Sequence, residues 1–472
     1  MNSQHCGRYE ATANRREFLK RAGGGFGLLA LSGLVGENRL LAAGEDDRLL
    51  RPLAPRAGQL PAKAKSIIWL FMEGGPSGFD LFDPKPELQR RHGQRISVET
   101  FFGNPGPLLR SPFEFKQHGQ SGAWVSEVYP NLAAHVDDIA FVKSCFAESN
   151  NHAPAMFHMN TGFTRAGFPS AGSWVTYGLG SESQNLPGFV VLGNRRGSKG
   201  GPQNWGNGFL PGAYQGTLFR NGPNPILNLT RPADITRADQ RAQLDLMAKL
   251  NEAHRAEHPG EADLLARIQN YELAYRMQSE ALDLADLSRE SVSTKTLYGL
   301  DQPSSQAFGT KCLLARRLVE RGVRFVQVYC DEEWDAHGDI RQNHIDMATQ
   351  TDRGIAGLLA DLKQRGLLDS TLLVWGGEFG RMPVSEGGKG RDHNPNGFTV
   401  WFAGAGVKGG MTHGATDEIG FKAVQDRVSI HDLHATMLHL MGIEHKRLTY
   451  LHSGRRFRLT DVSGEVITPI LS

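Results

Sequence analysis

Ser66-Ile67-Ile68-Trp69-Leu70-Phe71-Met72-Glu73-Gly74-Gly75-Pro76 is the stretch that decides the fold class. The run from Ser66 to Met72 holds no charge and is closed by glycine and proline. A short apolar run bounded in this way reads as a strand buried on both faces, the kind found in parallel sheets covered by helices. Similar runs recur at Ile139–Val142, Gly188–Leu192, Arg324–Tyr329, Thr371–Trp375 and Phe398–Ala403. Amphipathic helical patterns lie between or after them, from Phe308 to Arg321, from His344 to Arg365 with a stop at Gly366, and from Asp432 to Met441 with a stop at Gly442. Strands alternating with such helices predict an α/β protein, a three-layer α/β/α sandwich. Residues 232–290 are charged and poor in strand formers, and read as a helical insertion, either a lid or a flank. Glycine, 56 of 472 residues, favours this loop-rich class over a helical bundle.

The N-terminus reads as an address. Asn14-Arg15-Arg16-Glu17-Phe18-Leu19-Lys20 is a twin-arginine motif, followed by a Gly-rich apolar run from Ala22 to Val35 and small residues at Ala42 and Ala43. Residues 1–43 are therefore expected to be a twin-arginine signal peptide, 44–64 a Pro/Ala/Arg-rich linker and 65–472 the working domain. The expected location is periplasmic or extracellular, with the twin-arginine translocase as a partner during export. Lys+Arg is 52 against Asp+Glu 50. That balance excludes a nucleic-acid binder dominated by phosphate contacts. The absence of an apolar run of roughly 18 residues argues against a stable transmembrane anchor. Cys145, Cys312 and Cys330 are too few and too widely spaced for a disulfide framework or a thiolate metal site.

Open α/β sheets place their sites beyond the carboxyl ends of the strands. The first run is followed by Glu73 and Asp80, the second by Asn150, Asn151 and His152, the fourth by Asp335 and His337, and the fifth by Glu378 and Arg381; Asp392 and His393 precede the sixth. A carboxylate and an imidazole two residues apart, as in Trp334-Asp335-Ala336-His337-Gly338-Asp339, can chelate one divalent cation, and Asp392-His393 offers a second pair. Carboxylate with imidazole suits Zn²⁺, Mn²⁺ or Fe, and carboxylates with amides suit Ca²⁺ or Mg²⁺. His431, His434 and His439 share a helix, where apolar neighbours favour packing roles. Gly74-Gly75-Pro76-Ser77-Gly78 is not a nucleophile elbow, and the chain holds no phosphate-binding loop or dinucleotide fingerprint.

Phe71-Met72-Glu73-Gly74-Gly75-Pro76-Ser77, Phe82-Asp83-Pro84-Lys85-Pro86, Gly172-Ser173-Trp174-Val175-Thr176-Tyr177-Gly178, Trp334-Asp335-Ala336-His337-Gly338, Glu378-Phe379-Gly380-Arg381 and Asp432-Leu433-His434-Ala435-Thr436-Met437-Leu438-His439-Leu440 together resemble a domain-of-unknown-function family, number 1501. That family is similar to the sulfatases and the alkaline phosphatase superfamily. The resemblance implies a mixed, mainly parallel sheet between helical layers, and hydrolysis of sulfate or phosphate esters, small or polysaccharide, at a divalent metal ion (Zn, Mn, Ca or Mg). It implies a metal site at Asp335, His337 and His393 beside Asp392, and a further site drawn from Glu378, Asp80 or Glu73, Asn151 and His152. Glu378-Phe379 stands where the superfamily has an Asp-His pair, and Ser149-Asn150-Asn151-His152 where it has a nucleophile. Attack by water, with His152 and Asn151 as catalytic groups and Arg381 or Arg391 on the ester oxyanion, is the expected mechanism. The alternative is a non-catalytic protein on the same scaffold that binds polysaccharide or a partner, with Trp205, Trp334, Trp375 or Trp401 stacking on sugars. Isomerase or phosphomutase chemistry is a third possibility for such a fold.

Overall fold

A strand with no wet face needs apolar side chains on both sides, and the first run meets that demand. Ser66–Phe71 forms β1, buried throughout, with Ile67, Trp69 and Phe71 in one apolar cluster and Ile68 and Leu70 in another. The computed structural model describes residues 51–472 apart from 102, 104, 194–196, 221–225, 227–228 and 258–261. The signal peptide expected over 1–43 and the first part of the linker lie outside the described residues.

The other strands of the main sheet are β2 (Ile139–Phe146), β3 (Phe189–Leu192), β4 (Thr217–Phe219), β5 (Phe325–Tyr329) and β6 (Thr371–Gly376). A separate two-stranded hairpin follows, β7 (Gly380–Glu386) and β8 (Gly390–Asn394), and then the main sheet resumes with β9 (Phe398–Ala403), β10 (Met411–His413) and β11 (Val428–Ser429). The order across the nine-stranded sheet is β10-β2-β9-β6-β1-β5-β3-β4, with β11 also paired to β2. Every pairing is parallel except those of β9, which runs against both β2 and β6. The sheet is thus mixed and mainly parallel, and all six runs read from the sequence lie in it.

The longer helices are α1 (His152–Thr161), α2 (Ala171–Leu179), α3 (Arg237–Glu257), α4 (Ala262–Ala285), α5 (Pro303–Glu320), α6 (Ile340–Gln364) and α7 (Ile430–Leu440). Met156, Trp174, Val175, Leu433 and Met437 from α1, α2 and α7 share the cluster of Ile67 and Trp69. Met277, Cys312, Leu313, Ile355 and Leu358 from α4, α5 and α6 share the cluster of Ile68 and Leu70. Two helical layers on one sheet make the α/β/α sandwich. The start of α7 is fixed by a capping box in which Ser429 and Asp432 satisfy each other's backbone N–H, a device worth about 1 kcal/mol.

Two segments gain detail beyond their reading. Residues 237–257 and 262–285 form α3 and α4, joined by the Arg241–Glu272 ion pair (2.6 Å), and Leu273, Met277, Ala281 and Leu284 of α4 enter the core. That half of the insertion is a flank and not a lid. The segment read as a linker is strapped to the domain where it is described: Arg56 N–H donates to the Leu179 carbonyl (2.9 Å), and Lys63 and Ala64 N–H donate to that of Leu440 (2.9 and 2.8 Å).

Candidate metal centre

Three elements bring the site together: the loop after β5, the β7–β8 hairpin and the start of α1. The loop after β5 carries Asp335 and His337. It lies so close to the turn after β1 that a Cβ on Gly74, at φ +106°, would come within 2.6 Å of the backbone nitrogens of Trp334 and Asp335. Glycine at 74 is therefore a steric requirement, and Trp334 N–H seals the contact by donating to the Glu73 carbonyl (2.8 Å). The hairpin is tied to the same loop, since Arg391 N–H donates to the Ala336 carbonyl (2.9 Å). Its strands place Arg381 and Glu386 on β7 and His393 on β8, with Arg381 and His393 in register. His152 is the first residue of α1.

Asp335 is the focus. Its Oδ1 lies 2.9 Å from His337 Nε2, 2.8 Å from an Arg381 guanidinium nitrogen and 3.4 Å from His393 Nε2. Its Oδ2 lies 3.1 Å from His152 Nε2 and 2.9 Å from Lys199 Nζ. Each imidazole is held from behind at Nδ1: His337 by Glu386 (2.6 Å), His393 by the Asn150 carbonyl (2.6 Å) and His152 by Glu378 (2.6 Å). Glu378 is fixed in turn by Gly74 N–H, at 3.0 and 3.2 Å from its two oxygens.

These partners define the tautomers. A carboxylate or carbonyl at Nδ1 calls for a proton there, which leaves the lone pair of a neutral ring on Nε2. His337 Nε2 and His393 Nε2 face each other at 2.9 Å with Asp335 Oδ1 beside them. Two lone pairs and a carboxylate oxygen converging on one point form a donor set for a divalent cation, and Nδ1 held by an acceptor is the usual support of a metal-binding histidine. Donor atoms of His152, Asp335, His337 and His393 all lie within 4.8 Å of one another, as do those of His337, Glu386 and Asp392. The residues fit a metal ion.

The electrostatics follow the geometry. Burial works against charge on Asp335, yet the imidazoles of His152, His337 and His393 and the Arg381 guanidinium hold it far below the usual carboxylate range. Burial opposes charge on His152 as well, but hydrogen bonds to Asp335 and Glu378 prevail and raise its pKa. His337 is raised by Asp335 and Glu386 against burial. His393 is lowered, by burial first. Glu73, desolvated and close to Glu378, is pushed up to about 7, while one of its oxygens accepts the Lys199 N–H (2.7 Å).

The expected residues separate into two groups. Asp335, His337, His393, His152 and Glu378 meet in one cluster; Asp392 lies at its edge, its carboxylate accepting the His393 N–H (2.7 Å), and Glu73 lies beside Lys199. Asp80 is elsewhere in the bonding pattern: it is buried, paired with Arg391 (2.8 Å) and bonded to Ser77 Oγ (2.6 Å). Arg391 is saturated by Asp80 and by backbone carbonyls of Met382, Pro383 and Leu109, so it binds structure and not an ester oxyanion. Arg381 spends its fork on Asp335 and the carbonyls of Gly74, Gly75 and Arg391; it orients the carboxylate. Asn151 is exposed at the boundary of α1 and makes no side-chain cap. Trp205, Trp334, Trp375 and Trp401 are all buried, so none offers a face to a sugar. His431 and His434 bond to the Gly162 and Met159 carbonyls (2.9 and 2.8 Å) between α7 and the end of α1.

Lys199, Glu333 and Glu386 belong to the site and were not singled out from the sequence. Lys199 bridges Asp335 and Glu333 at 2.9 Å each. Its signal was present: it lies in Gly197-Ser198-Lys199-Gly200-Gly201, beyond the third apolar run.

The family model described as Protein of unknown function (DUF1501) matches residues 64–471. Among curated proteins none matches. Solved structures give faint likenesses. A protein in the alkaline phosphatase superfamily from Vibrio parahaemolyticus is 11% identical at TM-score 0.37, over 85% of this chain and 72% of that one. The PsFucS1 sulfatase from Pseudoalteromonas sp. is 13% identical at TM-score 0.33, over 86% and 72%. The alkaline phosphatase of the Antarctic bacterium TAB5 is 11% identical at TM-score 0.32, over 75% and 95%.

Proposed function

The chain belongs to the DUF1501 family, and from that premise we propose that it is an exported, metal-dependent hydrolase of sulfate or phosphate esters, small or polysaccharide. The observation that carries the reading is the convergence of His337 Nε2, His393 Nε2 and Asp335 Oδ1, each ring secured at Nδ1. A bound divalent cation supplies Lewis-acid polarisation of the ester and a lowered pKa for water.

The chain's own residues do the rest. Asp335, His337 and His393 would hold the ion. Arg381, buried and bonded on both sides of the carboxylate loop, keeps Asp335 aimed. His152 lies between Glu378 and Asp335, whose hydrogen bonds raise its pKa against burial. With Glu378 at Nδ1, its Nε2 is the ring atom turned to the cluster, and the proposal gives it the general-acid role toward a departing alkoxide when both nitrogens carry protons. Lys199 is spent on Asp335 and Glu333 and offsets part of the carboxylate charge around the site. Ser149 Oγ is bonded to the Asn151 backbone, and the proposal takes water as the nucleophile.

The test is the metal content of the purified chain by plasma mass spectrometry, beside an Asp335→Ala/His337→Ala variant, followed by a screen of sulfate and phosphate esters. About one or more transition-metal ions per chain, lost in the variant, is the expected result. A wild type that takes up no stoichiometric metal after reconstitution sinks the proposal.

A further inference from the structure

The two oxygens of Asp335 face different partners. Oδ1 meets the imidazole pair, His337 Nε2 at 2.9 Å and His393 Nε2 at 3.4 Å, which with it forms the donor set for the ion. Oδ2 lies 2.9 Å from Lys199 Nζ and 3.1 Å from His152 Nε2. The same ammonium lies 2.9 Å from Glu333 Oε2, so two carboxylates converge on it. The lysine's backbone is held on both sides. Its N–H donates to the Glu73 carboxylate (2.7 Å), and its carbonyl accepts from the side chain of the buried Asn204 (2.8 Å). Gly200 follows at φ +85°, where a Cβ would come within 2.8 Å of the Phe157 ring of α1. The loop thus aims Lys199 at Asp335. Next to His152, the buried Phe379 ring packs 4.9 Å from that imidazole and 4.6 Å from His393, so apolar surface and not a further donor lies there.

Two-metal hydrolytic sites hold their ions about 3.5–4 Å apart, close enough for one carboxylate to touch both. Asp335 offers that arrangement, but a lysine already holds its second oxygen. We propose that Lys199 Nζ is the second cation of the centre, which therefore takes one divalent ion per chain and not two. The ammonium neutralises the carboxylates that a second ion would neutralise, and it supplies N–H donors in place of Lewis acidity. The inference rests on the metal-centre reading of the proposed function. It sets the number of ions, which the donors Asp335, His337 and His393 leave open.

The experiment strips the full chain with a chelator, reloads it with excess Zn²⁺ or Mn²⁺, and counts bound ions by plasma mass spectrometry after desalting. The wild type is expected to hold about one ion, and Lys199→Arg, which keeps the charge, about one. Lys199→Met and Lys199→Gln remove the charge and free Asp335 Oδ2 and Glu333; each is expected to hold about two. In these variants loaded with Mn²⁺, electron paramagnetic resonance is expected to show a coupled pair, because Asp335 touches both ions. Two ions in the wild type overturn the proposal, as does a count of one or none in both uncharged variants when circular dichroism shows them folded. A second ion uncoupled from the first lies elsewhere and overturns it too. A wild type that takes up no metal sinks the hydrolase reading itself, and this inference with it; because the wild type is counted first, the two failures are told apart.

Discussion

Helix α1 contributes one histidine to each of two clusters. His152, at its start, joins His337 and His393 around Asp335; His158, two turns later, joins His431 and His434 between α1 and α7. In the first cluster acceptors stand behind every Nδ1 and a carboxylate stands in front. In the second, His431 and His434 bond at Nε2 to backbone carbonyls, and neither nitrogen of His158 has a hydrogen-bond partner among the described residues. The chemistry diverges accordingly. Carboxylates raise His152 and His337, whereas burial drives His158 down to about 4 and His434 to about 3. Spacing along a helix does not distinguish a ligand from a packing residue. What stands behind the ring does.

The largest contrast should come from Asp335→Ala. It is expected to remove bound metal altogether, by plasma mass spectrometry, while the equivalent loss in the other cluster, His434→Ala, leaves metal content unchanged. Metal retained without Asp335 would break the comparison. His434→Ala should act on stability instead. It empties a buried site packed against Trp69 and leaves the Met159 carbonyl unpaired, at a cost of roughly 2–4 kcal/mol in urea unfolding. A value near zero would show that the second cluster does not support the core.

Glu386→Gln keeps the shape behind His337 but removes the charge. Metal affinity is expected to fall about 10- to 100-fold in chelator competition, without loss of fold. Unchanged affinity would mean that Glu386 does not tune the ring. The remaining effect is pH dependence. His158 and His434 have folded-state values below the unfolded value of about 6.5, so the unfolded chain binds more protons and stability rises with pH across that window. Below about pH 6.5 each imidazole costs about 1.4 kcal/mol per pH unit, down to its folded-state value. His158→Leu is expected to flatten the acid limb of urea midpoints measured from pH 4 to 8; an unaltered slope would remove the assignment.

The sheet was legible where strands are buried on both faces, because an apolar run bounded by Gly or Pro has few other readings. β4, β10 and β11 were not, since two or three residues carry no periodicity, and neither was the reversed direction of β9, which depends on pairing. The β7–β8 hairpin hid because its strands hold charges that are buried only through partners, such as Arg381 and Arg391. Helix α6 begins at Ile340, before its apolar pattern is evident, because the Asp339 side chain caps it by accepting the Gln342 N–H. In the site, Asp335, His337 and His393 were legible as metal-type side chains at strand ends. Lys199 is not legible because a lone lysine in a Gly-rich loop has the look of surface charge, and nothing in the neighbourhood of Asp80 foretells its pairing with Arg391, more than 300 residues on.

The position of β1 also sets a schedule. Its two neighbours, β5 and β6, arrive only after some 260 to 300 further residues, as the pairings Ile67 with Phe325 and Ser66 with Thr371 show. At a synthesis rate of about 5–20 residues per second, the wait for β6 lasts roughly 15–60 s. For that interval a strand that is buried on both faces in the folded protein has no ladder on either edge. A truncated product ending before β5 is therefore expected to aggregate, since its central strand has no partner on either edge.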